Sequence, residues 1–170
     1  MENKLNYTQT NITFLEHYKK LDKLLKDYFS SNDGVTEYIN QMEFVPFADR
    51  KYVSSWDYDF QSLKRVRRIR NQLTHDVGTM NLDVSSLDDL NFVDSFYNRI
   101  MTYSDPFTLI RKGKENERIK NYQLAKAKQT QRPTVTTISK NNTATPQEKE
   151  NVRKKSFFNR FWTKIKNFFS

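Results

Sequence analysis

Residues 13–29, TFLEHYKKLDKLLKDYF, place Phe14, Leu15, Tyr18, Leu21, Leu24, Leu25 and Tyr28 at steps of three and four. That spacing gathers apolar side chains on one face of an α-helix, with lysines and acids on the other. Thr13 followed by Glu16 has the form of a capping box, so the spacing predicts a helix starting there and residues 1–11 as a disordered lead-in.

The same period recurs along the chain. Asp33-Gly34 opens VTEYINQMEF, with Val35, Tyr38, Ile39 and Met42 on one face. The stretch 45–56, VPFADRKYVSSW, holds Pro46 and little periodicity and is expected as a loop, with a short extended piece near Tyr52-Val53. A third long helix is expected from about Trp56 to Val77 on the stripe Leu63, Val66, Ile69, Leu73 and Val77. A fourth begins at Ser85/Ser86, with Asp88 and Asp89 in its first turn to suit the helix dipole. Its apolar face reads Leu87, Leu90, Val93, Phe96, Tyr97, Ile100 and Met101. Asp105-Pro106 has the form of an N-cap followed by proline at the first helical position, opening a fifth helix that continues into the 120s. Helices joined by short connections, with only three glycines and four prolines in the chain, define an all-α class: a bundle of four to five helices over residues 12–112.

Composition changes beyond the bundle. Residues 113–128 are helix-permissive but almost entirely polar, and 129–145 form a Thr/Asn/Gln-rich stretch that cannot bury a core, so a polar helical extension and then a flexible linker are expected. Residues 1–112 carry 15 Lys+Arg against 16 Asp+Glu, a net of −1, whereas residues 113–170 carry 14 against 4, a net of +10. The basicity of the protein, +9 in all, therefore belongs to its second part. The absence of cysteine excludes disulfides and thiolate metal sites and fits the cytoplasm. Neither a signal peptide nor a spanning helix is expected.

Thr145-Pro146-Gln147-Glu148 opens a further helix over residues 146–170. At 100° per residue, Phe157, Phe158, Phe161, Trp162, Ile165, Phe168 and Phe169 fall within one arc of about 140°. Arg153, Lys155, Arg160, Lys164 and Lys166 lie outside that arc, and Lys154 is the one misfit. Aromatic rings flanked by cations suit the interface of an anionic bilayer, with the rings at the acyl boundary and Lys/Arg among the headgroups. Docking on a protein partner, packing back on the bundle, and binding of nucleic acid or a calmodulin-like protein are the other readings of this helix. On the bilayer reading the protein sits peripherally at the inner face of the cell membrane.

The segment RVRRIRNQLTHD, residues 65–76, carries the candidate chemistry. On a helical wheel with Arg70 at the origin, the apolar residues gather between about 260° and 20°, and Lys64, Arg67, Arg68, Asn71, Thr74 and His75 between about 40° and 160°. Guanidinium groups hold phosphate oxygens in forked geometry, and an imidazole exchanges a proton near neutral pH. Metal-independent RNA cleavage needs a base for the 2′-hydroxyl, an acid for the leaving oxygen and a cation for the crowded phosphorane. One histidine per chain does not easily fill both proton roles, and a two-fold dimer would supply a second.

Arg70-Asn71-Gln72-Leu73-Thr74-His75 resembles the R-x4-6-H motif of the HEPN superfamily, including the polar residue that commonly follows the arginine. The stretches FLEHYKKLDKLL and FYNRIMTYSDPF are similar, more loosely, to small bacterial proteins that share an RNQLTH-type core. The resemblance implies a compact helical bundle and a homodimeric, metal-independent ribonuclease of toxin–antitoxin, CRISPR or phage-defence systems. It implies Arg70 and His75 as catalytic residues and Asn71 as a positioning residue, and the strip read from the wheel, Lys64, Arg67 and Arg68, is then expected to bind RNA.

Two plainer readings of the strip stand beside the nuclease: a catalytically silent scaffold or partner surface, and a solvated helix face paired with acids such as Asp76, Asp83, Asp88 or Asp89. His17 reads as structural. No metal-ligand spacing, Gly-rich phosphate loop or Ser/Cys nucleophile setting is present, so no metal or cofactor is expected.

Overall fold

Helix α1 runs from Glu2 to Phe29, so it starts well before the capping signal at Thr13. This computed structural model describes residues 2–130, with side chains for residues 6–128. The expected linker beyond residue 130 and the aromatic helix over 146–170 lie outside the described residues. The expectation of disorder over residues 1–11 is overturned from Glu2 onward.

The reason for the longer α1 is a polar side chain that hydrophobic periodicity cannot weigh. Asn11 is fully buried. Its Nδ2 donates to the carbonyls of Met80 and Leu82 at 3.0 and 2.8 Å, and its Oδ1 accepts from Ser85 N and Oγ at 3.1 and 2.7 Å. Such a satisfied amide ties the first turns of α1 to a distant loop. Thr13, read as a cap, lies inside the helix and donates from Oγ1 to the Gln9 carbonyl.

The remaining elements are α2 (Gly34–Glu43), the one-turn α3 (Phe47–Arg50), α4 (Trp56–His75), a 3-10 turn (Thr79–Asn81), α5 (Leu87–Met101) and α6 (Pro106–Thr130). No strand occurs among the described residues: the expected extended piece near Tyr52-Val53 is a turn, and α3 lies within the expected loop. The all-α class holds. Helix α1 is central, packing against α2, α4, α5 and the 3-10 turn.

The core joins Phe14, Tyr18, Leu21 and Leu25 of α1 to the Val35–Met42 face of α2, to Leu63, Val66, Ile69 and Leu73 of α4, and to Val93, Phe96 and Ile100 of α5. Two stripe assignments shift. Val77 is fully exposed, because α4 stops at His75 and the chain turns through Gly78 at φ 83°. On α5, Phe92 is buried while Leu87 faces outward.

Polar contacts set the helix ends. Ser86 and Asp89 form a reciprocal capping box on α5. Asp105 Oδ1 accepts from Phe107 N and Thr108 N at the start of α6, and from the buried Tyr38 hydroxyl at 2.9 Å. Asp59, with no exposed surface, takes two bonds from Arg99 at 2.6 and 2.7 Å and one from Ser55 Oγ. Asp22 of α1 caps α2 from outside, its Oδ1 accepting from Val35 N at 2.9 Å. That approach requires glycine at position 34, where a Cβ would lie 2.0 Å from the Asp22 carbonyl oxygen.

Gly113 of α6 is crowded by the Tyr52 ring instead, at 2.2 Å from an added Cβ. A half-buried ring moves more readily than backbone. Gly34→Ala should therefore destabilise by about 3 kcal/mol and Gly113→Ala by about 1 kcal/mol, at the upper and lower ends of overpacking costs. Urea unfolding of the two variants checks the ranking.

Candidate functional site

The end of α4 that carries His75 is closed by local hydrogen bonds. Thr74 Oγ1 donates back to the Arg70 carbonyl at 2.8 Å, and Thr79 Oγ1 donates to the carbonyls of Gln72 and Asp76 at 3.1 and 2.9 Å. Free carbonyls at a helix C-terminus need such donors. Thr79 is buried beneath this end, so His75 is held at the last helical position with its side chain exposed.

The polar residues of α4 divide between two concavities. Lys64, Arg67, Arg68 and Asn71, with Gln61, Ser62 and Arg65, line an open groove of about 640 Å³. Arg70 and His75 belong to the other, a cleft of about 260 Å³ between α1 and α4, with Thr74 beside them and Leu15, Tyr18, Lys19 and Asp22 facing from α1. Arg70 and His75 are therefore brought together within one chain, whereas Asn71 lies with the strip in the groove.

Charge compensation separates the cations further. Arg65 makes a two-pronged ion pair with Asp89, at 2.6 and 3.0 Å. Burial by itself would raise the Asp89 pKa, but hydrogen bonds from Arg65 and Ser86 bring it below the usual carboxylate value. Lys64 rests over the Phe60 ring at 5.0 Å. Among the described residues Lys64, Arg67, Arg68 and Arg70 form no ion pair. Of the four acids that could have paired with the strip, Asp89 pairs instead with Arg65, outside it, and none is paired with a strip cation among the described residues. The other histidine, His17, meets Asp94 Oδ1 through Nδ1 and links α1 to α5 away from the cleft.

Arg70 instead lies 5.5 Å from the centre of the Tyr18 ring. Tyr18 is 2% exposed, and among the described residues its hydroxyl meets no partner in full hydrogen-bond geometry, with Arg70 the cation nearest in effect. Burial pushes this phenol up to about 12, more than Arg70 lowers it, so it is neutral at ordinary pH. Asp22, the acid lining the cleft, has Oδ1 on Val35 N and Oδ2 on Lys26 Nζ, both at 2.9 Å.

The cleft thus presents two cations, Arg70 and Lys19, beside an accessible imidazole. Together they suit a phosphate group and a proton transfer next to it. Sequence periodicity placed Tyr18 in the core stripe and Lys19 and Asp22 on a solvated face. Only the packing of α1 on α4 reveals all three as cleft residues. No cluster of three His, Asp or Glu residues of the metal-site kind occurs among the described residues.

Residues 12–166 match a family described as of unknown function, DUF6548. No curated protein and no solved structure matches the chain.

Because the folded Asp89 pKa is lowered, the Arg65–Asp89 pair contributes stability that is fully present above the ordinary carboxylate value of 3.8. That contribution is lost as pH falls through the lower folded value. Arg65→Ala should accordingly be less stable than wild type at neutral pH, with the deficit closing in strong acid. Urea midpoints measured across that range test the sign.

Proposed function

The chain belongs to this family of unknown function, and we propose that it is a metal-independent endoribonuclease of the HEPN type. It works as a homodimer in toxin–antitoxin or phage defence, and its C-terminal helix docks it at an anionic membrane surface or on a protein partner at the cytoplasmic side. The observation that carries the reading is that Arg70 and His75 line one cleft while Arg70 forms no ion pair with a carboxylate among the described residues.

Each element of the reaction has a residue suited to it. His75 exchanges the proton at the 2′-hydroxyl or at the leaving oxygen, Arg70 stabilises the phosphorane, and a second chain supplies the complementary imidazole. Lys64, Arg67 and Arg68 are free to follow the flanking phosphates along the groove, with Asn71 orienting the strand at its edge. Docking rests on the 146–170 sequence, where Phe157, Phe158, Phe161, Trp162, Ile165, Phe168 and Phe169 form the apolar arc and Arg160, Lys164 and Lys166 flank it.

A second reading, a non-enzymatic interaction protein at the membrane, draws on Phe44 and Phe47. These two rings beside Pro46 are 82% and 85% exposed, as a partner-binding knuckle would be.

Incubating total RNA with the full-length protein in the presence of a chelator decides between them. The nuclease should cut, His75→Ala and Arg70→Ala should each lose about hundredfold or more in rate, and Asn71→Ala should lose less. Uncut RNA, or cleavage that survives both substitutions, removes the enzymatic reading. The double variant Arg67→Ala/Arg68→Ala should flatten the log–log salt dependence of single-stranded RNA binding by about 1.4. Removing residues 146–170 should abolish co-sedimentation with anionic vesicles, and equal sedimentation of both forms would exclude membrane docking.

A further inference from the structure

Three arginines of this bundle differ in whether a carboxylate meets them. Arg99 ends on Asp59 and Arg65 on Asp89, each through two short bonds. Arg70 ends on a ring. A carboxylate holds a guanidinium and cancels its charge, whereas an aromatic face attracts a cation through its quadrupole and leaves the charge in place. Such a contact is strongest where water is excluded, and Tyr18 is nearly fully buried. The ring stays neutral, since its phenol titrates only at about 12. The acid that could have competed, Asp22, is engaged at both oxygens.

We infer that Tyr18 is the positioning residue of Arg70: its ring orients the guanidinium across the α1–α4 cleft with the charge uncancelled, so that Arg70 and Lys19 grip one phosphate group of bound RNA beside His75. Helix α1 thereby supplies part of a site whose motif lies wholly on α4. The ligand class rests on the ribonuclease reading above, but the positioning role can be measured with inorganic phosphate alone.

The test uses the full-length protein, with inorganic phosphate and a single-stranded RNA as probes, and compares Tyr18→Phe, Tyr18→Leu, Arg70→Ala and Tyr18→Leu/Arg70→Ala. Tyr18→Phe keeps the ring and should match wild type in phosphate affinity and RNA cleavage. Tyr18→Leu should bind phosphate about tenfold more weakly, in line with loss of a desolvated cation–π contact. It should cut RNA with a lower kcat and an unshifted pH profile, because His75 is untouched.

Added to Arg70→Ala, Tyr18→Leu should cost nothing more, since the two residues act as one unit. A second measurement is independent of how well the leucine variant folds: the Arg70 Nε–H resonance of the wild type should carry a ring-current shift. Leucine-variant affinity equal to wild type, additive losses in the double variant, equal weakening by Tyr18→Phe, or an unshifted Arg70 resonance would each overturn the inference. No phosphate binding by the wild type overturns it together with the phosphate reading of the site. Tyr18-dependent phosphate binding without RNA cleavage upholds the positioning role and removes the nuclease.

Discussion

Both carboxylate oxygens of Asp22 are occupied in its own neighbourhood, Oδ1 by the amide of Val35 and Oδ2 by Lys26 Nζ. The first bond caps α2 from the side of α1, and it forms because Gly34 lets the two backbones close to a distance that no side chain would permit. Helix α2 is thereby set on α1, and the Val35–Met42 face meets Leu21, Leu25 and the rest of the core. The same occupation engages the one acid that lines the α1–α4 cleft among the described residues. Asp22 therefore orders the central helix pair through one oxygen and is held by Lys26 rather than Arg70 through the other.

Two of the buried acids show what the alternative looks like. Asp59 and Asp89 each draw an arginine into a bidentate pair, and both pairs bridge α4 and α5. Desolvating a charge is costly unless it is met this completely, and breaking one partner leaves the other uncompensated. These arginines belong to the fold. Arg67, Arg68 and Arg70 lie on the same helix as Arg65 but meet no carboxylate among the described residues, so their charge is not cancelled by the packing that fixes Arg65.

Two cationic systems follow, of different character. On α4 a few guanidinium groups stand on a rigid helix in a segment that is nearly neutral overall, which favours placing individual phosphates over bulk attraction. In the sequence beyond residue 130 the lysines and arginines alternate with phenylalanines, which favours a surface where charge and apolar burial add together. On the proposed function, phosphate is the common chemistry of both, as a polymer in one case and as lipid headgroups in the other.

The features already legible in the sequence depend on neighbours three or four residues away, although the capping signal at Thr13 and the stripe positions Val77 and Leu87 show that local spacing can also mislead. The apolar stripes of α1, α2 and α4, the caps at Ser86 and Asp105, and the division of RVRRIRNQLTHD into a core edge and a basic strip are all of this kind. Tertiary structure decided which cations are cancelled, because pairing is a through-space matter between helices: Arg65 with Asp89, Arg99 with Asp59, and Arg70 with a ring. It also decided where α1 begins, through the buried amide of Asn11, and it separated Asn71 from Arg70 and His75. Helical period is written in local spacing, whereas the contacts that turn a strip of charge into a cleft exist only once α1 lies against α4.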